Sequence, residues 1–66
     1  MRVTINGMAD EIPETFSITD MLAARKLQEI PVIVLVNDDN IARDKWELLK
    51  LHANDNLEIV RLIGGG

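Results

Sequence analysis

Arg2-Val3-Thr4-Ile5 alternates polar and apolar residues, the period-two pattern of a strand with one buried face. Asn6-Gly7 follows, a pair that accepts positive φ at both positions and signals a tight hairpin. Met8 to Ile12 forms the returning strand, which ends at Pro13 because proline has no amide for the ladder. At Phe16-Ser17-Ile18-Thr19-Asp20-Met21 the period changes to that of a helix. Ser17 caps the Asp20 amide and the Asp20 carboxylate reaches back, a short-armed capping box at the positive end of the helix dipole. Phe16 and Met21 stand at the two positions of a hydrophobic staple. Ile18, Met21, Leu22 and Arg25 share one face, with Leu22 most central. The pattern carries the helix to Leu27 or Gln28, and Pro31 finishes it.

Val32-Ile33-Val34-Leu35-Val36 has no alternation, so both faces of this strand are apolar, as suits a central strand. One face is expected against the helix. The other is a candidate for an exposed apolar patch. Asn37-Asp38-Asp39-Asn40 reads as a turn, Ile41-Ala42 as a short strand and Asp44 to Leu51 as a partly helical stretch. After a turn at Asn54-Asp55-Asn56 the last strand runs from Leu57 to Ile63. Leu57 and Ile59 face one side, and Glu58, Val60 and Leu62 the other. A helix laid across one face of a mixed sheet is the economical way to bury this set.

Sixty-six residues make one domain, with a folded body over 1–63 and a glycine tail over 64–66. At 47% hydrophobic and 27% charged residues, the composition is that of a globular chain. There are no cysteines, which excludes disulfides, thiolate-held clusters and a thiol nucleophile. The net charge of −4 and the two aromatic residues, Phe16 and Trp46, argue against nucleic-acid binding. No apolar run approaches the roughly 18 residues of a membrane span, and Met1-Arg2-Val3-Thr4 lacks the apolar core of a signal peptide. A cytoplasmic protein is expected.

His52, the single histidine, reads as a turn or surface residue; with no Cys or carboxylate at ligand spacing it is a poor metal site. Asp38, Asp39 and Asn40 lack the rest of a calcium loop. No nucleophile–base pair is visible, so no catalytic residue is assigned. The distinctive chemistry lies at Gly64-Gly65-Gly66. Without Cβ atoms, this stretch enters passages closed to other residues and presents the Gly66 carboxylate on a thin stalk. Fully extended, the four residues from Ile63 reach about 13 Å from the body. A C-terminal carboxyl has an intrinsic pKa of roughly 3.3–3.7, so it is an anion at neutral pH.

Several stretches together resemble one family. They are Val3-Thr4-Ile5-Asn6-Gly7, Phe16 to Leu22, Val36-Asn37, Ile41-Ala42-Arg43-Asp44-Lys45-Trp46 and Ile63-Gly64-Gly65-Gly66. Over essentially the whole chain the sequence is similar to the ThiS family of sulfur carriers in thiamine biosynthesis. The Arg43-to-Trp46 element is the most discriminating of these motifs. Ala42 stands where family members often have proline, and Asp38-Asp39 where Asn-Gly or Asn-Gln types are usual.

The resemblance implies an α+β fold: a β-grasp (ubiquitin-like) with a mixed four- to five-stranded sheet, one main helix and a flexible C-terminal Gly tail. The first and last strands would lie parallel in the middle. It also implies a carrier, not an enzyme. A ThiF-type adenylyltransferase would spend ATP to adenylate Gly66, a persulfide donor would convert it to a thiocarboxylate, and a ThiG-type thiazole synthase would take the sulfur. Gly64 and Gly65 would thread the partners' active sites, and Val60, Leu62 and Ile63 would form the docking face. No bound cofactor, metal or membrane partner is implied. Two other readings stay open at this point: the small subunit of a molybdopterin synthase, and a ubiquitin-like modifier or interaction module.

Overall fold

The computed structural model describes residues 1–62. The elements are β1 (Arg2–Ile5), β2 (Met8–Glu11), α1 (Ile18–Ala24), β3 (Val32–Val36), β4 (Asp39–Asn40), a 3-10 turn (Arg43–Lys45) and β5 (Asn56–Arg61). The sheet order is β2-β1-β5-β3-β4. β5 occupies the middle, parallel to β1 and antiparallel to β3, as the β-grasp reading expects. β3 lies inside the sheet but off centre, between β5 and β4.

Strand alternation sorts the side chains. Val3, Ile5, Val32, Val34, Val36, Leu57 and Ile59 point to the helix side, where Ile18, Met21, Leu22, Ile12 and Leu51 close the core. Leu57, Val3, Val34 and Ile18 have no exposed surface. Truncating any one of them to Ala costs roughly 2–5 kcal/mol, against a total of about 3–10 kcal/mol for a chain this size.

Local chemistry explains the joints. Asn6 and Gly7 take φ of 50° and 83°, the left-handed pair of a two-residue hairpin. β2 ends at Glu11, although Ile12 still exchanges both backbone bonds with Met1. The outward-facing Glu11 amide is taken by the Asp10 carboxylate at 2.9 Å, and Asp10 also meets Arg25 at 3.3 Å. Around Ser17 the capping box is complete. Its hydroxyl accepts from the Asp20 amide at 3.2 Å, and Asp20 accepts from the Ser17 amide at 3.0 Å.

Three sequence expectations are corrected. Helix α1 ends at Ala24, short of Leu27. Lys26 takes φ 60°, its amide returns to the Ala23 carbonyl, and the Leu27 amide returns to Leu22 at 2.8 Å. This is a Schellman ending with lysine in the usual glycine position, and it turns Leu27 onto the core. Second, the β3–β4 turn needs only Asn37 and Asp38, at φ 50° and 73°, so β4 is Asp39–Asn40 and not Ile41-Ala42. Asparagine and aspartate tolerate left-handed backbone, which lets pairing resume at once. Third, β5 starts at Asn56 and is assigned to Arg61.

Candidate functional site

The face of the sheet away from α1 is uncovered. Ile33 pairs across from Val60, and Leu35 from Glu58. Ile33 and Leu35 are half-buried, while Val60 and Leu62 are 47% and 51% exposed. These four make a compact apolar patch at the β3–β5 seam. The β1–β2 half of the same face carries Arg2, Thr4, Ala9 and Glu11, so the patch has a polar flank. Val60 and Leu62 are therefore surface residues, not core. Ile63, Gly64, Gly65 and Gly66, the other residues singled out in the sequence, lie outside the described residues.

Two asparagine side chains hold β5 in register. At its start, Asn37 accepts from the Asn56 amide through Oδ1 at 2.9 Å and donates its own amide to the Asn56 carbonyl at 2.7 Å. Its Nδ2 donates to Asp55 at 3.0 Å. Towards the other end, Asn6 Oδ1 accepts from the Ile59 amide at 2.8 Å, and Nδ2 donates to the Ile59 carbonyl at 3.4 Å. In a continuing parallel ladder those two Ile59 groups would meet the Asn6 carbonyl and the amide two residues on. The Asn6 carboxamide substitutes for both, because the backbone has already turned away into the hairpin. Sequence reading took Asn6 only as a turn residue. Its second role has no local signature, since its partner is 53 residues away.

Trp46 is half-buried, and its Nε1 donates to the Ile41 carbonyl at 2.9 Å. The Arg43 guanidinium lies 5.8 Å from the indole centroid, within cation–π range. The Arg43-to-Trp46 spacing thus packs one turn onto itself. The Trp46 carbonyl also accepts from the Thr19 amide at 3.3 Å, which ties that turn to α1. A cleft of about 330 Å³ opens between the two, with Thr19, Leu22, Arg43 and Trp46 among its walls. It holds no nucleophile paired with a base.

His52 is exposed in a turn, where its backbone amide donates to Asp55 at 2.7 Å. Asp38 and Asp39 are exposed in the β3–β4 hairpin. Among the described residues no group of His, Cys, Asp or Glu could hold a metal ion. No helix among them is long and apolar enough to cross a membrane. The Asp20 carboxyl is held below its ordinary value, first by the Ser17 amide and then by the Ser17 hydroxyl.

A five-stranded mixed sheet with a parallel β1–β5 centre and one crossing helix defines a β-grasp protein of the ubiquitin-like class. Comparison with known proteins narrows this. The sequence model of the ThiS family matches residues 3–66. The sulfur carrier protein ThiS of Bacillus subtilis (strain 168) is 36% identical over 53 residues, 80% of each chain. The crystal structure of a thiamine biosynthesis protein, ThiS from Geobacter metallireducens, superposes with a TM-score of 0.85. It is 26% identical, and the match covers all of both chains. The chain belongs to the ThiS family.

Proposed function

We propose that the chain is a sulfur carrier for the thiazole of thiamine, with the Gly66 carboxylate as the cargo-bearing group. The observation that carries this reading is the reach of the family match, which runs through the glycine tail to residue 66. The apolar patch beside β5 supports it, because a carrier needs a surface by which its partners hold it. The carrier has no catalytic residues of its own and is the substrate of two enzymes in turn.

The steps follow from the carboxylate. In an adenylating enzyme of the ThiF type, a Gly66 oxygen attacks the α-phosphorus of ATP and pyrophosphate leaves. The acyl adenylate then has AMP as a good leaving group. The terminal sulfur of a donor persulfide attacks the acyl carbon and AMP departs. A donor thiol next attacks the other sulfur, breaking the S–S bond and leaving the thiocarboxylate on Gly66. A thiazole synthase of the ThiG type takes that sulfur. Gly64 and Gly65 keep the path to each active site free of side-chain bulk. Val60, Leu62 and Ile63 form the docking face at the base of the tail.

The test is the intact mass after incubation with ATP, the adenylating enzyme and a persulfide donor. The expected result is replacement of one oxygen by one sulfur, located at Gly66. An unchanged mass with an enzyme that charges another carrier would overturn the reading.

A further inference from the structure

Backbone hydrogen bonding around the end of β5 leaves one place open. On the β3 side, the Leu62 amide donates to the Pro31 carbonyl at 2.9 Å. On the β1 side, the carbonyls of Asp55 and Leu57 accept from the amides of Thr4 and Asn6, each at 2.9 Å. The Ile59 amide and carbonyl, which face the same way, are both occupied by the Asn6 carboxamide. Alternation along a strand turns the amide and carbonyl of Arg61 to that side too. No described residue meets them.

The space beside them is open. Gly7 lies in the turn that ends β1, and a Cβ built there would find nothing within 4 Å. Met8, at the start of β2, is 73% exposed. Arg61 pairs across from Val32, so its side chain projects to the helix side of the sheet, whereas Val60 and Leu62 flank the slot on the apolar side.

We propose that the adenylating enzyme grips the base of the tail by adding an extended segment of its own to β5, hydrogen-bonded to the Arg61 amide and carbonyl. This rests on the carrier reading above and names how the tail's partner takes hold. Asn6 is the positioning residue: by filling the Ile59 positions it ends the internal sheet one step before Arg61. The chemistry of the added segment follows from what flanks the slot. On one side it carries apolar residues against Val60 and Leu62. On the other it places a carboxylate near Arg61, a cation on a chain whose net charge is −4. Backbone pairing is indifferent to side chains, so it suits a contact that must hold a stretch next to a glycine tail.

The decisive variant is backbone-specific. The 66-residue chain is made by chemical synthesis with the Arg61 amide replaced by an ester, which deletes the N–H and keeps every side chain. A second synthetic chain carries the ester at Leu62, whose amide bonds internally to Pro31. Calorimetry with the adenylating enzyme, and carrier-dependent charging kinetics, are the readouts. The Arg61 ester, which also makes the Val60 carbonyl a weaker acceptor for Ile33, should melt only slightly below the native chain and bind about 3- to 10-fold more weakly. Its KM should rise by the same factor with kcat unchanged. The Leu62 ester should lower the melting temperature further. If the Arg61 ester lowers the melting temperature, binding is compared at a temperature where both chains are fully folded. If the native chain is bound and charged while the folded Arg61 ester binds equally well, strand addition is refuted and the carrier reading stands. If the native chain is bound but acquires no sulfur, the carrier chemistry fails, and strand addition is judged on affinity alone. If the enzyme does not bind the native chain, both fall.

Discussion

Replacing Asn6 should weaken the fold through two separable effects, and a pair of variants resolves them. Asn6 has φ 50°, a conformation that asparagine tolerates and alanine does not. Its carboxamide also makes the 2.8 Å and 3.4 Å bonds to Ile59. Asn6→Gly keeps the backbone relaxed and deletes the bonds. The 3.4 Å contact is near the limit for a hydrogen bond, so one full bond is counted, about 0.5–1.5 kcal/mol. Asn6→Ala deletes the same bonds and adds left-handed strain of about 1 kcal/mol. The expected losses are about 1 kcal/mol for glycine and about 2 kcal/mol for alanine. Such losses correspond to roughly 4–8 °C of melting temperature per kcal/mol for a domain of this size. Urea unfolding followed by Trp46 fluorescence measures both. Amide exchange at Ile59 reports the bond directly and should accelerate in both variants. A glycine variant as stable as the native chain, with Ile59 protection unchanged, would show that the carboxamide does not hold β5.

Ala42 already has φ −62° and ψ 144°, values a proline ring would lock in place, and its amide is not needed by β4. Ala42→Pro should therefore stabilise the protein by about 0.4–1 kcal/mol, read as a higher urea midpoint; destabilisation would mean the local backbone is held differently. Asp20 is favoured as the anion in the fold, so its contribution is complete above the unfolded pKa of about 3.9. It is lost as pH falls through the lowered folded value. Asp20→Asn should consequently narrow its stability gap to the native chain below about pH 4, and a pH-independent gap in melting scans would contradict the capping-box account. Val60→Asp and Leu62→Asp should leave melting intact, because both side chains are exposed, yet weaken binding to the adenylating enzyme. Calorimetry showing native affinity would remove them from the docking face.

Much of the fold was legible because the governing signals are local. The Asn6-Gly7 turn, the Ser17–Asp20 box and the Leu57/Ile59 alternation each depend on neighbours within a few residues, and each formed as the sequence predicts. The helix end was misplaced because Lys26 stands where a glycine would have announced the stop. The extra length assigned to the Asn37 turn came from reading four polar residues as four turn residues. The parallel pairing of β1 with β5 was not derivable from periodicity and came only with the family resemblance. The apolar patch was half legible: Val60 and Leu62 stood out by alternation, and Ile33 and Leu35 by the unbroken apolar run. What joined them was the β3–β5 register, a long-range property.

The two sheet edges bear on how concentrated this protein can become. A bare edge strand invites another copy to pair with it, the first step towards ordered aggregates. Here β4 is only two residues long, and both are polar. On β2 the Asp10 carboxylate sits on an outward amide and adds negative charge where a second chain would dock. A carrier that shuttles between enzymes has to stay dispersed between visits. Asp10→Ala should therefore be felt less in the melting temperature than in the protein concentration at which turbidity begins.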